Sequence, residues 1–104
     1  METVILKPFE LSSEQLEAIK EIINRDADMM HPQSYTEEHT FTLYEIEQVE
    51  EMLKNVFKVE FVSIYEILIH FIGIIKERMN NIFVNNVSIH FDNESKSLVI
   101  LTTV

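Results

Sequence analysis

The stretch VSIHFDNESKSLVILTTV, running from Val87 to Val104, breaks with the pattern of the residues before it and decides the architecture. Val87, Ile89 and Phe91 alternate with Ser88, His90 and Asp92, the two-residue repeat of a strand with one face toward a core. Asp92 to Ser97 supplies turn formers, and the chain then returns as a second run of strand-forming residues ending at Val104. These residues predict a C-terminal β-hairpin. Within it, Leu98, Val99, Ile100 and Leu101 are continuously apolar, and such a strand needs cover on both faces or a partner along its edge. It is either the central strand of the chain's own sheet or the place where the sheet continues into a second copy or a partner.

Working back from the hairpin, apolar residues recur at helical spacing in three blocks, each announced by a capping signature. Ser12 stands before Gln15 in a capping box, with Leu11 and Leu16 placed to pack across the helix start, and Leu16, Ile19, Ile22 and Ile23 line one face. Asp26 would fall on that same face if the helix continued, so the helix is expected to end near Arg25. Thr42 with Glu45, flanked by Phe41 and Ile46, opens a second helix. Its expected dry face is Ile46, Val49, Leu53, Val56 and Phe57; its expected wet face carries Glu47, Glu50, Glu51 and Lys54. Ser63 with Glu66, flanked by Val62 and Ile67, opens a third helix expected to bury Ile64, Leu68, Phe71, Ile72, Ile75, Met79 and Ile82 at the centre of the core.

Three stretches lie outside these blocks. Thr3 to Phe9 carries Val4, Ile5 and Leu6 ahead of Pro8 and reads as a short edge strand. Asp28 to Thr40 loses periodicity, contains Pro32 and reads as the longest loop. Lys58 to Val62 alternates well enough to be a further strand. The expected fold is α+β, with a small antiparallel or mixed sheet, built from the N-terminal strand and the C-terminal hairpin, packed by three helices in one domain of 104 residues.

Composition excludes several functions. With no cysteine there is no disulfide framework, thiolate metal site or cysteine nucleophile. The single glycine, Gly73, leaves no glycine-rich loop to cradle a nucleotide phosphate, so no cofactor is expected. A net charge of −10 with no basic stripe argues against direct nucleic-acid binding. The apolar region from Val59 to Ile75 is interrupted by Glu60, Glu66 and His70, which argues against a membrane span, and the absence of a basic, then apolar, leader pattern after Met1 makes the cytoplasm the expected address. No Ser-His-Asp or nucleophile-elbow pattern is present, and the chain is expected not to be an enzyme.

The charge is uneven: residues 1–60 hold 14 acids and 5 bases, whereas residues 61–104 hold 4 acids and 3 bases. Glu37, Glu38, Glu47, Glu50 and Glu51 are the candidate partner-binding residues, an acidic surface suited to a basic protein groove, against the plainer reading of a solvated face. Glu66, His70 and Glu77, with Gly73 between them, form the one polar stripe on the third helix and are weak candidates for a metal or a proton relay. His31 and His39, with Glu37 and Glu38 nearby, are a poorer metal candidate, and His90 falls on the polar side of its strand. The leading expectation is a small acidic cytoplasmic binding module of inhibitor, immunity or regulatory type that occludes a basic surface of a protein partner. The alternatives are a homo-oligomeric structural or assembly subunit joined through Leu98, Val99, Ile100 and Leu101, and, more weakly, a metal-dependent enzyme using Glu66, His70 and Glu77.

Overall fold

The computed structural model describes residues 11–25, 27, 35–79 and 83–104. In chain order the elements are α1 (Ser13–Asn24), β1 (Thr36–Thr42), α2 (Leu43–Phe57), α3 (Ile64–Met79), β2 (Asn86–Asp92) and β3 (Ser97–Thr103). The three strands form one antiparallel sheet in the order β1-β3-β2, and the fold is α+β.

All three helix starts lie where their side chains can stand in for the missing turn. The Ser12 hydroxyl accepts from the Gln15 amide at 3.1 Å while Gln15 Oε1 accepts from the Ser12 amide at 3.0 Å. Thr42 and Glu45 repeat this reciprocal box at 3.2 and 3.1 Å. Ser63 Oγ accepts from the Glu66 amide at 3.3 Å. Each cap satisfies helix N–H groups that have no partner within the helix itself. The first helix stops at Asn24 with Arg25 as its C-cap. The second ends on Lys58 in the left-handed conformation (φ 56°), and the Val59 amide donates to the Lys54 carbonyl at 3.1 Å.

The hairpin is present as β2 and β3, and the strand paired with it among the described residues is one that the spacing did not mark. The expected strand at Thr3–Phe9 lies outside the described residues. Beside β3 lies β1, whose first five residues, Thr36 to Thr40, fall inside the segment read as a loop. Strand β3 therefore lies between β1 and β2. The residues from Val59 to Val62 form an irregular α2–α3 link, not a strand.

Register assigns the faces. Phe41, Leu98 and Phe91 form one inward row, His39, Ile100 and Ile89 the next, and Glu37, Thr102 and Val87 the third. Helix α3 lies against this face: the Phe71 ring stacks on Phe41 with centroids 4.0 Å apart, and the Thr102 hydroxyl donates to Met79 Sδ at 3.9 Å. The buried cluster joins Ile67, Leu68, Phe71, Ile72, Ile75 and Met79 of α3 to Ile19 and Ile23 of α1 and Ile46 and Leu53 of α2. Beside it, Asn24 at the end of α1 clasps the chain entering β2, donating to the Val84 carbonyl at 2.9 Å and accepting from the Val84 amide at 2.7 Å.

Helix α2 departs from its expected faces at two points. Glu50, placed on the wet side by its acidic neighbours, is buried at 4% exposure. It sits four residues after Ile46 and three before Leu53, on the stripe both occupy. Val56 and Phe57, expected to be dry, are 65% and 54% exposed, because the last turn of α2 extends past the cover available to it.

Candidate acidic and apolar docking face

The five candidate carboxylates do not form one patch. Glu37 and Glu38 are adjacent on a strand, so they project to opposite faces of the sheet, Glu37 beside Thr102 and Glu38 beside Leu101. Glu50 is buried, and its Oε1 has no hydrogen-bond partner. Glu47 and Glu51 remain, one helical turn apart on the solvent side of α2, and both are exposed. Glu45 is exposed as well, with its carboxylate engaged in the Thr42 cap.

The same helix presents large apolar side chains to water. Tyr44 is 68% exposed, its hydroxyl accepting from Gln48 Nε2 at 3.0 Å, and Met52 is 40% exposed. Val56 and Phe57 are exposed in the last turn of α2, and Val59 and Phe61 in the α2–α3 link. Where the end of α2 meets the first two turns of α3, a groove of about 300 Å³ opens between Leu53 and Phe57 on one side and Tyr65, Glu66, Ile69 and His70 on the other. Hydropathy spacing alone assigns Val56 and Phe57 to the core, so it misses this face. The available signal is the density of aromatic and β-branched residues from Val56 to Phe61, more than a six-residue helix end and link can bury.

The α3 stripe is divided. Glu66 and His70 line the groove, one turn apart, whereas Glu77 lies on the far half of the helix, about 16 Å from Glu66 at 1.5 Å per residue. Among the described residues no three His, Asp or Glu side chains come together to hold a metal ion. Nothing approaches within 4 Å of where a Cβ on Gly73 would lie, so this glycine admits no close-packed backbone. His31 lies outside the described residues. His39 belongs to the core: 4% exposed, its Nε2 is 3.1 Å from the Thr102 hydroxyl oxygen. Burial pulls its imidazole below the ordinary value, Glu37 pulls the other way and Arg78 adds to the lowering. His90 is exposed on the outer sheet face beside Val99.

The apolar run of β3 is also reassigned. Both of its edges are taken within the chain, so Leu98, Val99, Ile100 and Leu101 cannot extend the sheet into a second copy. Leu98 and Ile100 face the helices, and Val99 and Leu101 the opposite side. Among the described residues no helix is long and apolar enough to cross a membrane.

No family model matches the chain, and neither the curated proteins nor the solved structures compared with it give a match.

Proposed function

We propose that this chain is a small acidic protein-binding module, of inhibitor, immunity or regulatory type, that acts in the cytoplasm by covering a basic surface on a protein partner. The observation that carries this reading is the solvent side of α2, where Glu47 and Glu51 share a face with exposed Tyr44 and exposed Met52 stands toward its edge. Each feature is a burden on the isolated chain. Like charges one turn apart cost a few tenths of a kcal/mol, and large apolar side chains gain nothing from standing in water. A partner carrying Lys and Arg around an apolar patch relieves both burdens at once, and the field of a chain with net charge −10 steers it into place. Nothing in this role requires bond chemistry.

The test is co-purification with the wild-type chain and with a Glu47→Lys, Glu51→Lys double variant, at low and high salt. A basic protein retained by the wild type, released by salt and lost on charge reversal supports the module. Retention unaffected by both treatments refutes it.

A second reading, a homo-oligomeric assembly subunit, draws support from the exposed apolar residues Val56, Phe57, Val59 and Phe61. Light scattering at high concentration separates the two, since this reading requires a stable oligomer without any partner.

A further inference from the structure

The groove between the end of α2 and the start of α3 has a composition that specifies its occupant. Its floor is apolar, from Leu53, Phe57, Tyr65 and Ile69, and its polar rim comes from Glu66 and His70. At about 300 Å³ it holds two or three side chains, and exposed Val56, Val59 and Phe61, near Phe57 in the chain, add apolar surface at the end of α2 and in the link. We infer that this groove seats one amphipathic helix of the partner, with apolar side chains in the groove and Lys or Arg along its flank. The inference rests on the binding-module reading and adds to it the place and the chemistry of the contact.

The groove's backbone and its charge both select that occupant. Both walls of the groove are helices, whose main-chain groups are bonded internally, so an entering extended segment would find no ladder to join. A helix satisfies its own N–H and C=O groups and offers side chains at the spacing of two adjacent turns.

Glu66 is exposed on the groove's rim and Glu60 in the link beside Val59 and Phe61, against the exposed Lys58 and the half-buried Lys54, in a chain of net charge −10. A two-fold pairing with a second copy would lay this rim against itself, since such an interface uses the same patch on both subunits. Two chains of net charge −10 would then meet carboxylate to carboxylate. The same rim repels nucleic acid and attracts a cationic helix.

The experiment is selection from a displayed library of helical peptides of about five turns. Their apolar positions are fixed at i, i+4 and i+7, and the flanking positions vary among Lys, Arg, Glu and Ser. The full chain is the bait. Selection is expected to enrich Lys and Arg on the flanks and to give one-to-one binders that shift the resonances of Tyr65, Ile69 and His70. Phe57→Ser and Val56→Ser should each weaken these binders, Phe57→Ser by about tenfold or more as the loss of an anchor. Both residues are more than half exposed, so both variants keep the core, and circular dichroism checks this. Enrichment of acidic or neutral helices, failure to enrich any binder, or binders indifferent to both substitutions would overturn the inference, as would a dimer that Phe57→Ser dissolves. Partner binding that is lost in Glu47→Lys, Glu51→Lys yet unchanged in Phe57→Ser leaves the module standing and removes only the groove.

Discussion

Glu50 shows how much a single side chain can depart from its neighbours. It shares acidic company with Glu47 and Glu51, yet it lies on the stripe of Ile46 and Leu53, and one of its carboxylate oxygens is buried without a partner. A buried polar atom left unpaired costs about 1–3 kcal/mol, and a methionine of similar length removes that cost and adds apolar contact. Glu50→Met is therefore expected to raise stability by about 1–3 kcal/mol, read as a higher urea midpoint at unchanged slope. A lower midpoint would show that the carboxylate contributes something its surroundings do not reveal. Gly73 gives a cleaner case. It is exposed in the middle of α3, with open space where a Cβ would go, so its only local effect is the backbone entropy it loses on folding. Gly73→Ala is expected to stabilise by about 0.5–1 kcal/mol in the same assay, and destabilisation would mean that the glycine is needed where the structure shows free space.

At the scale of elements, α1 and the hairpin are tied together by one side chain. Asn24 imitates a strand partner for Val84, donating to its carbonyl and accepting from its amide, and Val84 is fully buried. Asn24→Ala orphans both main-chain groups and is expected to cost about 2 kcal/mol or more. Asn24→Asp keeps only the acceptor and should fall between, with amide exchange at Val84 accelerated in the order Asp, then Ala. If alanine is neutral, water replaces the clasp.

Local rules made the helix starts legible: Ser12, Thr42 and Ser63 cap because of what lies three residues on, and no tertiary information is needed. Strand β1 was not legible. Of its inward residues Glu37, His39 and Phe41 only one is apolar, so alternation fails by hydropathy even though the backbone alternates perfectly well. The register turns His39 inward, where the hydroxyl of Thr102, 63 positions away, meets its Nε2. The candidate docking face divides in the same way. The carboxylates could be read from the residues, and the spacing of Ile46, Glu50 and Leu53 was enough to withdraw Glu50 from them. The groove depends on where α3 stops covering α2, which no local pattern encodes.

For the molecule as a whole, the −10 charge and the buried imidazole act on stability in different pH ranges. Ordinary carboxylates keep their charge down to about pH 4–5, so between pH 8 and pH 5 the mutual repulsion of this acidic chain changes little. In the unfolded chain His39, at its ordinary 6.5, titrates inside that interval. Buried against α3 beside Thr102, it is held below its ordinary 6.5; Glu37 opposes the shift and Arg78 reinforces it. Above pH 6.5 both the folded and the unfolded chain carry a neutral imidazole, and its contribution is complete. As the pH falls below that value the unfolded chain takes up a proton that the folded chain resists. Stability therefore declines, with a slope no steeper than about 1.4 kcal/mol per pH unit for one proton. The decline ends at the lowered folded value, below which both states are protonated. His39→Gln keeps a polar group near Thr102 and removes the titration. The stability of the wild type relative to this variant, from urea unfolding at closely spaced pH values, should be level above pH 6.5 and fall on acidification. A difference that grows on acidification would mean that Glu37 holds His39 as a cation, and the inward row of β1 would then carry an ion pair where the structure places a neutral ring.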